Sequence, residues 1–243
     1  MKKNKFWLAV ILVLALLVPN ACSDTRETDE EPFEVSFEHY HAASLDLKEQ
    51  VPTVLIELPL VRQSTAYSCG VACTQSILRY TGYDFDVRED NLISALGAND
   101  ESGTRYERIV ELLNTKSHYS DSSQDGNMNR ITAEAGFNLT VDELCAYLDR
   151  GKPVICAIQA WAYLTASEYE TEYDSGHYVI AIGYDPDNIY FMDPSTSGNY
   201  AYIPKDEFAA RWHDADGEDA VDQFGIVVTI EADYSKDLAF KME

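Results

Sequence analysis

Cys69, His177, Asp193 and Gln63 are the side chains whose types and spacing can carry covalent chemistry. Cys69 stands in a Ser-Cys-Gly junction just before the apolar-periodic run Val71, Ala72, Ile77, Leu78, at or next to a predicted helix N-terminus. There the unpaired N–H groups and the positive end of the helix dipole favour a thiolate, and a neighbouring imidazolium favours it further. His177 opens one apolar run, H-Y-V-I-A-I-G, and Asp193 closes another, I-Y-F-M-D, with the turn Asp185-Pro-Asp-Asn188 between them. Antiparallel partners bring opposite sequence ends together, so the two side chains can meet at one end of a hairpin. An imidazole held by a carboxylate on one nitrogen and facing a thiol with the other is a nucleophile, base and orienter set. Gln63, six residues before Cys69, can add an amide N–H₂ to the Cys69 backbone N–H and bind an oxyanion. Each residue also has a plain reading: packing thiols at Cys69 and Cys73, a core histidine, a turn former before Pro194, a surface amide. Together they fit one geometry.

The elements that must position these residues follow in order. Thr53 to Leu60 is a short β-prone run, and the Cys69 helix is broken at Thr81-Gly82-Tyr83. Asp90 to Leu96 predicts a short helix from an acidic cap, and Thr104 predicts the cap of an amphipathic helix carrying Ile109, Val110, Leu112 and Leu113. Residues 117 to 130 predict an exposed loop. Thr140 and Glu143 have capping-box spacing, for a helix ending at Gly151, and Pro153 to Ile158 predicts a buried strand. Trp161 to Gly176 is an aromatic, acidic excursion with Glu168, Glu170, Glu172 and Asp174 that can wall a cleft beside His177. After the His177 hairpin come a helix near Lys205 to Trp212 and a strand from Phe224 to Ile230. Helices early and an antiparallel sheet late predict an α+β fold.

Met1 to Cys22 predicts a signal peptide: Lys2, Lys3 and Lys5, the apolar run Phe6 to Val18, then Pro19-Asn20-Ala21-Cys22. Cys22 resembles the acceptor of a bacterial lipoprotein signal, which predicts an exported, lipid-anchored chain with simple secretion as the alternative. Residues 23–50 read as an acidic tether, 51–232 as the folded domain and 233–243 as a tail. His39 and His41 fit a solvated linker better than a metal pair, and no metal or cofactor is expected. With 42 acidic against 18 basic residues and a net charge of −24, nucleic acid and anionic membrane surfaces are poor partners. The expected partner is a peptide or protein substrate, cationic or neutral. With Cys22 given to lipid and Cys69 to chemistry, three cysteines remain, so a fully paired disulfide framework is excluded. Cys73, Cys145 and Cys156 read as buried small hydrophobes, a Cys145 to Cys156 bridge staying open.

Three motifs carry a resemblance: Q-S-T-A-Y-S-C-G-V-A-C, G-K-P-V-I-C-A-I and H-Y-V-I-A-I-G-Y-D-P-D-N-I-Y-F-M-D-P. As a set they resemble cysteine peptidase family thirty-nine, the bacteriocin-leader-processing peptidases of the papain-like superfamily, from about Val51 to Ile230. The resemblance implies a papain-like fold with Cys69 as nucleophile, His177 as base, Asp193 as orienter and Gln63 as oxyanion donor. Ser68 departs from it, standing where transporter-linked members carry Asp or Glu. The chain shows no transporter segment and no phosphate-binding Gly-Lys-Ser/Thr loop, so it resembles the stand-alone exported members, and double-glycine leader cleavage is not carried over. Peptide hydrolysis is the first functional expectation. Acyl transfer or deamidation on the same triad, and a non-catalytic surface-binding module, are the alternatives.

Overall fold

The computed structural model describes residues 52–81, 87–119, 130–160, 165–196, 198–216 and 219–231. Cys22, His39, His41, the segment 161–164 and the tail beyond residue 231 lie outside them.

The unbroken apolar runs form the centre of one sheet. V-I-C-A-I-Q becomes β3 (Val154–Gln159) and N-I-Y-F-M becomes β5 (Asn188–Met192), each buried at every position, with β4 (Gly176–Tyr184) between them. Strands buried at every side chain need cover on both faces. Around them lie β1 (Val54–Leu55), β2 (Arg130–Gly136), β6 (Ala201–Pro204) and β9 (Gly225–Glu231). The order is β2-β9-β3-β4-β5-β6, with β1 pairing on β4, and the pairs between named strands are antiparallel. A separate hairpin joins β7 (His213–Asp216) to β8 (Asp219–Asp222).

The cover comes from helices. α1 (Cys69–Tyr80) is buried from Cys69 through Leu78 and packs on β4, with α2 (Glu89–Leu96) and α3 (Tyr106–Tyr119) beside it. Its middle is polar, and each of three side chains there donates to a carbonyl. Thr74 Oγ1 donates to Gly70, Gln75 Nε2 to Val87 and Ser76 Oγ to Pro59. Gly70 lets the start of α1 reach the sheet: a Cβ there would stand 2.9 Å from Thr104 Cβ and 3.1 Å from the Tyr178 ring. α4 (Val141–Leu148) opens with the expected capping box between Thr140 and Glu143, and α5 (Ala166–Tyr169) and α6 (Lys205–Arg211) follow later in the chain.

The α+β class is as expected, and so are the His177 hairpin, the buried strand after Pro153 and the helix beginning at Cys69. Other features differ. α2 starts at Glu89 rather than Asp90, and α3 starts at Tyr106, with Thr104 packed against the nucleophile helix instead of capping. Residues 117–119 close α3, residue 130 opens β2, and 120–129 lie outside the described residues. β2 reads R-I-T-A-E-A-G, whose small residues hide the alternation, and it is an edge strand formed by pairing with β9. Likewise H-D-A-D and D-A-V-D have few apolar residues, so the β7–β8 hairpin carries no period-2 signal. Only Val54 and Leu55 of the Thr53 to Leu60 run are strand.

Substituting Gly70→Ala is expected to destabilise the fold by about 1–3 kcal/mol, because the added methyl meets packed carbon rather than a movable chain end. A urea titration measures this; an unshifted midpoint would show that α1 can back away from β4 without cost.

Candidate active site

The register of the sheet brings the site residues together. His177 is the second residue of β4, paired with Ile158 of β3, and is 2% exposed. The last paired residues of β4 and β5 are Ile180 and Met192, so the chain leaves β5 at Asp193 while β4 still flanks it. The two side chains meet there: His177 Nε2 donates to Asp193 Oδ1 at 2.8 Å.

Asp193 is itself held. It opens the turn Asp193-Pro194-Ser195-Thr196, closed by the Thr196 N–H to the Asp193 carbonyl at 3.1 Å. Proline at the second position presets that turn, and the aspartate side chain accepts from the backbone two residues on. Asp193 Oδ1 takes the Ser195 N–H at 2.8 Å, and Oδ2 takes the Thr196 hydroxyl at 2.6 Å. Burial alone would raise this carboxyl. The hydrogen bond and charge of His177, with Thr196 and Ser195, outweigh it and hold Asp193 below the ordinary carboxylate range.

Cys69 is the first residue of α1, buried to 9% exposure, and its side chain hydrogen-bonds to His177. With Nε2 committed to Asp193, Nδ1 is the ring nitrogen left for the sulfur. Burial works to lower the His177 pKa, yet its hydrogen bonds to Asp193 and Cys69 and their charges prevail and push it up to about 9. The imidazolium is therefore the resting form at neutral pH. Cys73, Cys145 and Cys156 are free, and burial pushes all three up. The Cys145 and Cys156 bridge left open by the sequence is not formed.

The helix end beside the thiol is uncapped. Ser68 is the N-cap residue but makes no side-chain cap bond, so its hydroxyl does not occupy the first N–H groups of α1. Gln63 lies against the Asp193 turn: its N–H donates to the Pro194 carbonyl at 3.0 Å, and its Oε1 accepts from Ser195 Oγ at 3.2 Å. Its Nε2 donates to the Thr65 carbonyl at 2.7 Å, which leaves one of the two amide hydrogens for other use.

Sequence reasoning missed Ser195 and Thr196. The Asp-Pro-Ser-Thr string is an Asx-turn signal that could have found them. It also missed Asp214, whose carboxylate crosses the bare Cα of Gly176, the residue before His177, and accepts from the buried Gln159 Nε2 at 3.2 Å. No local pattern announces that approach. Of the acidic excursion, Glu168 is spent on capping α5 through Thr165, and Glu172 Oε1 accepts from the Asp174 N–H. Glu170 faces a separate cavity of about 400 Å³ with Tyr173, Asp206, His213 and Asp222. Among the described residues no group of three or more His, Cys, Asp or Glu could hold a metal ion, and no helix is long and apolar enough to cross a membrane.

A thiol at a helix start, bonded to a histidine that an aspartate holds on an antiparallel sheet, is the arrangement of the papain-like class. The chain belongs to the Peptidase C39 like family, whose model matches residues 55–219. Its fold is similar to that of a C39-like peptidase from Bacillus anthracis, at 19% identity and a TM-score of 0.53, over 75% of this chain and 100% of that one. The peptidase domain of Streptococcus ComA, a bi-functional ABC transporter, aligns at 17% identity and a TM-score of 0.49, over 72% of this chain and 99% of that one. A double glycine motif protease from an AMS/PCAT transporter, solved with its leader peptide, aligns at 14% identity and a TM-score of 0.48, over 74% and 98%. No curated protein matches the chain.

Replacing Asp193 by Asn is expected to lower the His177 titration midpoint from about 9, since the largest effect opposing burial is removed. Imidazole NMR titration of both proteins measures it, and equal midpoints would assign the elevation to some other group.

Proposed function

We propose that the chain is an extracytoplasmic cysteine peptidase that hydrolyses peptide bonds through Cys69, His177 and Asp193, with residues 51–232 as its catalytic domain. The observation that carries the reading is the buried relay in which Asp193 holds one face of His177 and Cys69 meets the same ring. Family membership supports cysteine peptidase chemistry in general.

The Cys69 thiolate attacks the scissile carbonyl, and the carbonyl oxygen becomes an oxyanion. The Cys69 N–H at the uncapped helix end and the remaining amide hydrogen of Gln63 receive that charge. His177, protonated at neutral pH, gives its proton to the leaving amine, and the acyl-thioester forms as the C–N bond breaks. The neutral ring then takes a proton from water as it attacks the thioester; the C–S bond breaks, the acid leaves, and the Cys69 thiolate and His177 imidazolium are restored. Asp193 stays ionised and keeps the ring oriented in both steps.

The net charge of −24 supports neutral or cationic peptide and protein substrates over anionic ones. The leader-like segment ending at Cys22 supports export with a lipid anchor at that residue.

Against a peptide library, Cys69→Ala is expected to leave almost no cleavage, and Gln63→Ala to slow it by about 10²- to 10³-fold. Digestion by Cys69→Ala at the rate of the native protein would end the peptidase reading. Because the general acid is lost as His177 deprotonates, cleavage is expected to fall as pH rises through about 9. A profile flat from pH 7 to 10, measured as kcat/KM, would separate His177 from the rate-limiting proton transfer. Cys22→Ala is expected to release the protein from the membrane fraction, and unchanged fractionation would remove the anchor.

A further inference from the structure

Ser68 lies one residue before the nucleophile and is fully buried, and a serine at an N-cap normally turns its oxygen back onto its own helix. Here it does not. Its hydroxyl donates to Glu89 Oε1 at 2.7 Å and accepts from the Thr65 N–H at 3.2 Å. The same Glu89 oxygen takes the Ser64 N–H at 2.9 Å. Glu89 is the first residue of α2, so a carboxylate from a different helix spans both ends of the loop Ser64 to Ser68. That loop leads from Gln63 to Cys69, the two residues assigned to the oxyanion.

We propose that Glu89 is a positioning residue of the peptidase: by bonding to Ser64 and Ser68 it holds the loop between Gln63 and Cys69 at both ends, and so fixes the aim of the two groups assigned to the oxyanion. An ionised carboxylate only accepts hydrogen bonds, so at Ser68 it fixes the hydroxyl proton outward and leaves an oxygen lone pair for Thr65. A loop released from Glu89 lets the Cys69 N–H and the Gln63 amide shift in a site in which a single donor is worth about 10²- to 10³-fold in rate. The inference rests on the peptidase reading.

The test measures kcat and KM for one cleaved peptide with the native protein, Glu89→Ala, Glu89→Gln, Ser68→Ala and the double variant Ser68→Ala/Glu89→Ala. Glu89→Ala is expected to lower kcat by about 10- to 100-fold with KM within about twofold, as loss of aim rather than of substrate binding. Glu89→Gln keeps an acceptor oxygen and is expected to recover most of that kcat. In the Ser68→Ala background the same Glu89→Ala change is expected to cost several-fold less, because one of the two bonds by which Glu89 holds the loop is already gone. Unchanged kcat in Glu89→Ala, or equal losses in Glu89→Ala and Glu89→Gln, or strict additivity with Ser68→Ala, would overturn the positioning role while leaving native turnover and the peptidase reading intact. Native turnover that survives Cys69→Ala would overturn the reading, and the role of Glu89 with it.

Discussion

A histidine ring with 2% exposure has to be stabilised if it is to carry a positive charge, and the site is arranged around that requirement. Burial favours the neutral imidazole; the Asp193 carboxylate at 2.8 Å and the bonded Cys69 side chain reverse the preference. The carboxylate is buried too, and stays ionised because the Ser195 N–H and the Thr196 hydroxyl meet its oxygens alongside His177. Each buried charge thus depends on the next group outward, down to a four-residue turn preset by Pro194.

The loops around this relay are tied to one another rather than standing alone. Gln63 bonds to Pro194 and Ser195 on one side, and the residues after it are held by Glu89 on the other. The nucleophile therefore sits between two fixed elements, β4 beneath and α2 beside, and Gly70 allows the helix start to approach the sheet closely. Rigid support of this kind suits a reaction whose donors must be aimed at a charge that exists only transiently.

Much of the acidic surplus works locally. Glu143 and Glu168 complete capping boxes, Glu172 and Asp185 hold turns, and Glu89 spans a loop, so part of the net charge of −24 consists of carboxylates bonded to backbone or hydroxyl donors. The remaining thiols follow the opposite logic: Cys73 and Cys156 lie in the core, where burial keeps them protonated and out of the chemistry.

What could be read from the chain alone was whatever local periodicity and turn chemistry encode. The run after Cys69 marked a helix start, the Asp185 to Asn188 turn marked a hairpin, and together they predicted that His177 and Asp193 would meet. β2 was not legible because it pairs with β9, far along the chain, and its small residues hide the alternation; the β7–β8 hairpin is local but has too few apolar residues to show a period of two. Nor could any spacing rule say that Glu89 would reach Ser68, that Thr104 would pack on Gly70 instead of capping its helix, or that Asp214 would cross Gly176. Those contacts join residues 21 to 38 positions apart and depend on how whole elements dock, a matter of packing in three dimensions that no stretch of sequence contains.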